Sequence, residues 1–251
     1  MLVILFEDNH CIAVAKAAPL LTQGVPFDSP AGPIPTLEAM VKAYLKERYH
    51  KAGNVYLGIP QRLDRPVSGV IVFARNTKAA RRLAEQFQKR QVIKTYWAAV
   101  EGDVQPQEGT WEDWLLKLPE EARVEQAGSE TPGARRAVLE YRRLGSEAGC
   151  TFLEIKPHTG RMHQIRVQAS LRGWPIRGDL LYKAQSPFGP PVELPRERVI
   201  ALHARSLVFL HPIRYEPITL VAPLPDLWRE AFPLSIHSLQ EQEQPRATGK
   251  L

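Results

Sequence analysis

The chain has 251 residues, of which 44% are hydrophobic and 24% are charged. It is long enough to bury a sizeable core, and this composition excludes disordered and fibrous proteins. Its net charge of +6, from 33 basic and 27 acidic residues, is consistent with a polyanionic partner. No apolar run is long enough to span a membrane, and no secretory signal follows Met1, so we expect a cytoplasmic protein.

The first elements are predicted from runs of apolar residues. Those from Leu2 to Phe6 and from Cys11 to Ala15 flank a polar turn and predict a β-hairpin. A loop rich in proline and glycine follows from Pro19 to Pro35. Thr36 can cap the next helix. The apolar face of that helix is predicted to consist of Leu37, Met40, Val41 and Tyr44.

The stretch from Gln61 to Gly69 places Asp64 between Arg62 and Arg65, just ahead of the apolar run from Val70 to Ala74. A proline and a glycine in this stretch indicate a turn, and the β-branched run predicts a buried strand. Neighbouring guanidinium groups favour an ionised carboxylate, which suits a nucleophile rather than a general acid. The alternative is an ordinary ion pair at the edge of a sheet.

A second helix is predicted after Asn76 or Thr77, either of which can cap it. Its apolar stripe consists of Ala80, Leu83, Ala84 and Phe87, and its opposite face carries Lys78, Arg81, Arg82, Lys89 and Arg90. That basic face is either solvated or borders a phosphate-binding surface. A strand from Ile93 to Val100 is predicted next.

The segment from Gly102 to Arg136 is predicted to be irregular, as a mobile element over a cleft. Strands from Ala137 to Arg142 and from Thr151 to Lys156 predict a second hairpin. The polar tail from Ser238 to Leu251 is predicted to be disordered. We therefore expect one domain over residues 1–237.

The segment from Lys156 to Ala169 is the second one rich in polar groups. A turn at Thr159-Gly160 is predicted to open a helix, so that several hydrogen-bonding side chains converge near its start. These are Arg161, His163, Gln164 and Arg166. His158 and His163 do not share a helical face, and no carboxylate lies close by, so no metal site is expected here. The two cysteines, Cys11 and Cys150, indicate neither a disulfide nor a zinc site.

Five blocks lie along the chain: Arg62-Leu63-Asp64 with Ser68-Gly69, Lys94-Thr95-Tyr96, Thr159 to Arg166, Pro175 to Asp179, and Leu202-His203-Ala204. Together, and in this order over about Leu2 to Pro225, they resemble the RluA family of RNA pseudouridine synthases. The resemblance implies an isomerase that acts on uridine within folded RNA. It also implies an α+β fold with a curved, mainly antiparallel sheet, flanking helices and a central basic cleft.

The resemblance also implies roles for individual residues. Asp64 matches the essential aspartate, which attacks either ribose C1′ or uracil C6. Tyr96 matches the tyrosine that stacks on the target base and is a candidate for proton removal from C5. Arg166 matches the basic partner of the aspartate, and Arg62 the arginine that helps displace the target nucleotide. Arg161, His163 and Gln164 are predicted RNA contacts.

Three positions depart from the family pattern. Gln61 stands where histidine is usual, Val67 where threonine is common, and Lys16-Ala17-Ala18-Pro19 where Lys-Pro and glycine are typical. Glutamine keeps hydrogen-bonding capacity and the nucleophile remains, so we still expect activity.

The expected partner is structured RNA, a ribosomal or transfer RNA stem-loop whose unstacked bases are accessible. The first strand begins almost at Met1, so the accessory amino-terminal RNA-binding domain of many relatives is expected to be missing. No cofactor is expected, because no phosphate loop or dinucleotide fingerprint is found. No metal, DNA or membrane partner is expected either. We expect a monomer, since no long exposed apolar stripe is evident.

Two other functions compete with the isomerase. A non-catalytic RNA-binding or assembly factor could keep the fold, although binding alone would not need Asp64, Tyr96 and Arg166 together. A carboxylate-dependent hydrolase of nucleosides or glycosides usually needs a second carboxylate, and the Asp64 segment offers none within the motif.

Overall fold

A computed structural model describes residues 2–24, 34–118 and 120–237 of the chain. The loop predicted from Pro19 to Pro35 lies partly outside these described residues. The tail predicted from Ser238 to Leu251 lies wholly outside them.

Ten strands and four α-helices occur in the described residues. The strands are β1 Val3–Glu7, β2 Cys11–Lys16, β3 Ser68–Ala74, β4 Ile93–Glu101, β5 Glu108–Leu118, β6 Arg123–Ala127, β7 Arg135–Glu147, β8 Cys150–Pro157, β9 Leu202–Leu210 and β10 Pro217–Val221. The helices are α1 Leu37–Arg48, α2 Thr77–Gln88, α3 Gln164–Leu171 and α4 Asp226–Ala231, with short 3₁₀ turns at Leu180–Tyr182 and Pro195–Glu197.

All ten strands belong to one sheet. Nine follow the order β1-β2-β3-β9-β4-β8-β7-β5-β6, and β10 pairs with β9. Among the strand pairs of the described residues only β3 and β9 run parallel. The predicted α+β class with a mainly antiparallel sheet is confirmed. No helix in the described part of the chain is long and apolar enough to cross a membrane.

The parallel junction of β3 and β9 lies inside the sheet, with β1 and β2 on one side and β4 on the other, and it comes immediately after the Asp64 turn. Gly69 makes it possible, because its φ is 124° and a Cβ there would lie 2.3 Å from the carbonyl oxygen of Ala204. Only glycine adopts this conformation and allows such a close approach. On its other side β3 pairs with β2, from Cys11 opposite Ala74 to Lys16 opposite Gly69.

The helix starts follow the predicted caps. The side chain of Thr36 accepts a hydrogen bond from the Ala39 amide, and that of Asn76 accepts one from the Ala79 amide. The predicted buried faces are partly wrong, because Met40 and Ala84 are exposed. The buried positions are Leu37, Val41 and Leu45 in α1, and Ala79, Leu83 and Gln86 in α2.

The prediction of irregular structure from Gly102 to Arg136 is wrong. Strands β5 and β6 form a hairpin there, and β5 also pairs with β7 over eight residues, Glu108 to Leu115. The buried ring of Trp111 anchors β5, with its centroid 4.8 Å from that of Tyr141. Prolines and glycines flank these strands, and charged residues on their exposed face weaken the apolar signal.

A buried histidine ties the strand junction together. Nδ1 of His203 lies 2.8 Å from the Ser68 hydroxyl, and Nε2 lies 3.3 Å from the carbonyl oxygen of Ala222. Because a carbonyl only accepts, Nε2 carries the proton and Nδ1 accepts from Ser68. Burial lowers the pKa of His203 to about 4.

This pKa predicts a pH-dependent stability. An unfolded histidine has a pKa of about 6.5, so between pH 4 and 6.5 the unfolded chain binds more protons than the folded one. The contribution of His203 to the free energy of unfolding should therefore fall by about 3 kcal/mol as the pH drops through this window. Urea titrations of the wild type and His203→Asn measure this contribution as the difference between their free energies of unfolding. That difference should shrink towards pH 4. A difference independent of pH would contradict the assignment.

Candidate active site

The turn that carries Asp64 is held by the segment of residues 17–24 that follows β2, here called the strap. The hydroxyl of Thr22 donates to the Leu63 carbonyl oxygen at 2.9 Å and accepts from the Leu63 amide at 3.1 Å. The Val67 amide donates to the carbonyl oxygen of Asp64 at 3.1 Å, which closes the turn. Asp64 therefore lies on a short turn fixed from both sides, directly before the buried strand β3.

Lys16 supports the same turn from inside the protein. Its ammonium nitrogen lies 3.2 Å from the carbonyl oxygen of Ala17, 2.7 Å from that of Leu20 and 3.1 Å from that of Arg65. Burial lowers the pKa of Lys16 to about 7, and the charge of Asp64 opposes that shift. Three carbonyl acceptors match the three N–H donors of the ammonium form. Lys16 thus fastens the Asp64 turn to the end of β2.

The ion-pair partner of Asp64 is Arg166, as predicted. Nη1 of Arg166 lies 3.3 Å from Oδ2 of Asp64. The same guanidinium forms two hydrogen bonds with Asp179, from Nε to Oδ2 at 2.7 Å and from Nη2 to Oδ1 at 2.8 Å. Burial alone would lower the pKa of Arg166. The hydrogen bonds and the charge of Asp179, together with the charge of Asp64, outweigh burial and raise that pKa.

The expectation that Arg62 and Arg65 would be the cations at Asp64 is wrong for the described residues. The ion-pair contacts of Asp64 there come from Arg166 and His163. Arg62 is exposed. Sequence proximity was misleading, because side chains of neighbouring residues in a turn diverge while helix α3 approaches from elsewhere in the chain.

Asp179 was missed as a site residue, although it lies in one of the blocks that carry the resemblance. Its side chain is 1% exposed, and that of Arg166 is 6% exposed. Asp179 follows Gly178, which has a φ of 88°. A Cβ at Gly178 would lie 2.7 Å from the carbonyl oxygen of Val199. A buried carboxylate in so constrained a turn fixes the direction of the Arg166 guanidinium.

Helix α3 begins later than predicted. It starts at Gln164 rather than at Thr159-Gly160, because His163 adopts a left-handed conformation with a φ of 51°. Gln164 is buried, and its side-chain amide forms hydrogen bonds with its neighbours. Oε1 accepts from the Thr159 hydroxyl at 2.7 Å and from the Arg161 amide at 3.1 Å. Nε2 donates to the Val138 carbonyl oxygen at 3.1 Å. These contacts give Gln164 a structural part in the turn and leave the prediction of RNA contact without support.

His163 lies beside Asp64, with Nε2 3.6 Å from Oδ2 of the carboxylate. Nδ1 of the same ring lies 2.8 Å from the hydroxyl oxygen of Tyr182. The side chain is 10% exposed, and burial lowers its pKa. Little of the His163 side chain is therefore accessible from solvent, and its contact with RNA stays a prediction.

Tyr96 lies on β4 where its register with β9 shifts, between Thr95 and Tyr96. Such bulges redirect side chains and are frequent at active sites. The Tyr96 ring is partly buried, and burial and the charge of Asp64 raise its pKa. The phenol is therefore protonated at neutral pH and lies within the electrostatic influence of the Asp64 carboxylate.

A group of basic residues without acidic partners surrounds the start of the His163 turn. This cationic cluster consists of Arg90, Lys94, Arg135 and Arg161. Nζ of Lys94 lies 3.7 Å from the position of a Cβ on Gly160, and Nε of Arg161 donates to the Arg136 carbonyl oxygen at 3.0 Å. Burial, then the charges of Arg90 and Arg135, lower the pKa of Arg161. No carboxylate of the described residues forms an ion pair with the cluster.

Asp8, Cys11 and His211 are the one group of potential metal ligands that come together in the described part of the chain. Nδ1 of His211 accepts from the backbone amides of Ile213 and Arg214, so Nε2 carries the proton and donates to Asp8 at 2.7 Å. A protonated nitrogen has no lone pair to offer a metal. Burial raises the pKa of Cys11 to about 12, which keeps its thiol protonated. The group is therefore a hydrogen-bonded clasp between the β1–β2 turn and the β9–β10 turn.

Replacing Asp179 tests the buried pair. In Asp179→Asn the guanidinium of Arg166 loses its buried counter-charge, and the free energy of unfolding should fall by about 3 kcal/mol. Asp226→Asn is the matched control, because Asp226 pairs with Arg229 on the surface and is 85% exposed. Its effect on urea unfolding should be close to zero. Equal effects of the two variants would contradict the buried pair.

Comparisons with known proteins were consistent with this geometry. A family model described as RNA pseudouridylate synthase matches residues 10–171. A relative in Xylella fastidiosa, "Ribosomal large subunit pseudouridine synthase D", is 34% identical over 235 residues, which cover 89% of this chain and 66% of the relative. A relative in Haemophilus influenzae, "tRNA pseudouridine synthase C", is 30% identical over 250 residues, which cover 92% of this chain and 96% of the relative.

A solved structure, "Human RNA Pseudouridylate Synthase Domain Containing 4", has the same fold, with a TM-score of 0.71 and 24% identity. The match covers 95% of this chain and 93% of that one. The chain spans about two thirds of the length of several curated relatives, for example 65% and 66%. The family model and the relatives together show that this chain belongs to the RNA pseudouridylate synthase family.

Proposed function

We propose that this protein converts specific uridines of structured RNA to pseudouridine, with Asp64 as the nucleophile. One observation carries the proposal. Oδ2 of Asp64 faces Arg166 at 3.3 Å and His163 at 3.6 Å, whereas Oδ1 has no hydrogen-bond partner among the described residues. One carboxylate oxygen is anchored and the other is free to attack.

The reaction rearranges one nucleotide without a co-reactant. The bond from ribose C1′ to uracil N1 breaks, a bond from C1′ to C5 forms, the C5 proton leaves and N1 gains a proton. The mass of the RNA is unchanged. Oδ1 of Asp64 can attack either C1′ or C6. An ester on C1′ breaks as C1′ bonds to C5, whereas an ester on C6 is eliminated to restore the pyrimidine ring; either way the carboxylate is regenerated. Neither route needs a metal or a cofactor.

Tyr96 and Arg166 have separate parts in this proposal. The raised pKa of Tyr96 keeps its phenol neutral, which suits stacking on the target base and does not suit proton removal by a phenolate. Arg166 holds Oδ2 and provides the carboxylate with a counter-charge in a site from which the nucleotide excludes water. The ion pair of Arg166 with Asp64 and the influence of the Asp64 charge on Tyr96 support these roles.

RNA contacts are assigned to the exposed cations. Arg62 is exposed next to Asp64, where a planar cation can occupy the stack that the target nucleotide leaves. The cationic cluster, which includes Arg161, supplies charge for the phosphates on one side of the site. Among RNA contacts, we propose for His163 only one with the nucleotide bound at Asp64.

We place this activity in the cytoplasm, on ribosomal or transfer RNA, with the protein as a monomer. Both cysteines, Cys11 and Cys150, are free and buried, which is usual in a reducing compartment. Curated relatives are named for each of the two RNA classes. The proposal includes no DNA or membrane partner.

The activity is tested by mapping pseudouridines in RNA from cells with and without this protein. Carbodiimide adducts stop reverse transcriptase at pseudouridine, so specific stops should disappear without the protein. They should return with the wild type and stay absent with Asp64→Asn, which keeps the size of the side chain but removes its charge. The purified wild type should then modify the same RNA in vitro.

Product analysis separates the competing functions. Release of free uracil would assign a hydrolase, since isomerisation leaves the mass of the RNA unchanged. Binding of the mapped RNA with no change in any stop would contradict the proposal and assign a non-catalytic RNA-binding factor.

The cationic cluster predicts a salt dependence. Each phosphate contact contributes about 0.7 to 0.9 to the slope of log affinity against log salt. The triple variant Arg90→Ala, Lys94→Ala and Arg161→Ala should reduce that slope by about 2 to 3 in filter-binding assays. The matched control removes the charges of Lys42, Lys46 and Lys51, in and just after α1, and should leave the slope unchanged. Equal slopes for the two triple variants would contradict the assignment.

A further inference from the structure

The β5–β6 hairpin reaches the candidate active site through Tyr182. The backbone amide of Val124, on β6, donates to the Tyr182 hydroxyl oxygen at 3.0 Å. The two side chains also pack in a small apolar cluster, separate from the main core. Its buried members are Leu115, Val124, Ala137, Val167 and Tyr182. The hairpin thus fixes where the Tyr182 hydroxyl lies.

This hydroxyl in turn determines the protonation of His163. The hydroxyl oxygen accepts the Val124 amide, so its own proton remains to be donated, and Nδ1 of His163 lies 2.8 Å away. If Nδ1 carried a proton, the Tyr182 proton would have no acceptor among the described residues. The arrangement is satisfied when Nδ1 accepts and Nε2 carries the proton.

The proton on Nε2 points towards Asp64. The four polar groups that face the His163 ring are Asp64, Arg166, Asp179 and Tyr182. Burial is the largest influence and lowers the pKa of His163, while the two carboxylates oppose that shift and Arg166 adds to it. A neutral imidazole with its proton on Nε2 fits all four neighbours.

We propose that the β5–β6 hairpin positions the nucleophile through a relay from the Val124 amide to Tyr182, from Tyr182 to His163, and from His163 to Oδ2 of Asp64. This inference rests on the proposed function and adds two positioning residues, His163 and Tyr182, to it. The distance of 3.6 Å from Nε2 to Oδ2 is longer than a hydrogen bond. It contracts when Asp64 turns Oδ1 towards a bound nucleotide, so His163 holds Oδ2 while Oδ1 attacks.

The relay can be tested in the free protein by nitrogen-15 NMR of the histidine rings. The signals of His163 are assigned by their loss in His163→Asn, since asparagine tolerates the left-handed backbone conformation at this position. We expect an unprotonated Nδ1 and a protonated Nε2 at pH 7.5. A proton on Nδ1 would overturn the relay, whether or not the protein is active.

Kinetics of Tyr182→Phe test the same relay during turnover. Phenylalanine keeps the ring, which lies 5.0 Å from the Arg166 guanidinium carbon, and removes only the hydroxyl. We expect kcat to fall about tenfold, as for the loss of one hydrogen bond in the transition state, with KM for RNA unchanged. Nδ1 then takes up a proton more readily, so the activity of Tyr182→Phe should start to decline at a higher pH than that of the wild type on the acid side.

Tyr141→Phe is the matched control, because it also removes a tyrosine hydroxyl from a buried ring, one that donates to the Pro106 carbonyl oxygen at 3.2 Å. Its kcat and pH profile should equal those of the wild type. If Tyr182→Phe also shows the wild-type kcat and pH profile, the relay is wrong. An inactive wild type would instead overturn the proposed function, and the NMR measurement would still decide the relay.

Discussion

The guanidinium of Arg166 is the group on which the site depends, because it lies between two carboxylates that come from different parts of the chain. Asp179 takes two of its donors at 2.7 and 2.8 Å, and the remaining Nη1 reaches Asp64 at 3.3 Å. A buried cation without a counter-charge would cost several kcal/mol. The bidentate pair with Asp179 therefore makes the charge of Arg166 tolerable, and its fixed plane aims one nitrogen at the nucleophile.

The rest of the fold positions the other side of this contact. Gly69 lets β3 and β9 meet, and the Asp64 turn enters the sheet at that junction. Lys16 and Thr22 tie the same turn to the strap after β2. Because these bonds hold the backbone on both sides of Asp64, the turn has little freedom. Such preorganisation suits a nucleophile that must approach one atom of a nucleotide.

Local patterns were sufficient for much of this structure. Apolar runs predicted the first hairpin and β3, and cap residues such as Asn76 marked helix starts. Local patterns could not predict contacts between distant segments. Nothing near Lys16 shows that its ammonium will meet the carbonyl group of Arg65, 49 residues later. The β5–β6 hairpin was missed because its pairing with β7 stabilises it. The pairing of Asp64 with Arg166 was predicted from the resemblance to a family, since periodicity does not predict a contact between residues 102 positions apart.

The central claim is that Oδ1 of Asp64 attacks the nucleotide while Arg166 retains Oδ2. The most direct measurement is a crystal structure of the protein with a stem-loop RNA that carries 5-fluorouridine at the mapped position, where fluorine replaces the proton that must leave C5. Our account predicts Oδ1 against the target nucleotide, with Oδ2 still facing Arg166 and Arg166 still paired with Asp179. A nucleotide bound away from Asp64, or an Arg166 that leaves both carboxylates for an RNA phosphate, would contradict it.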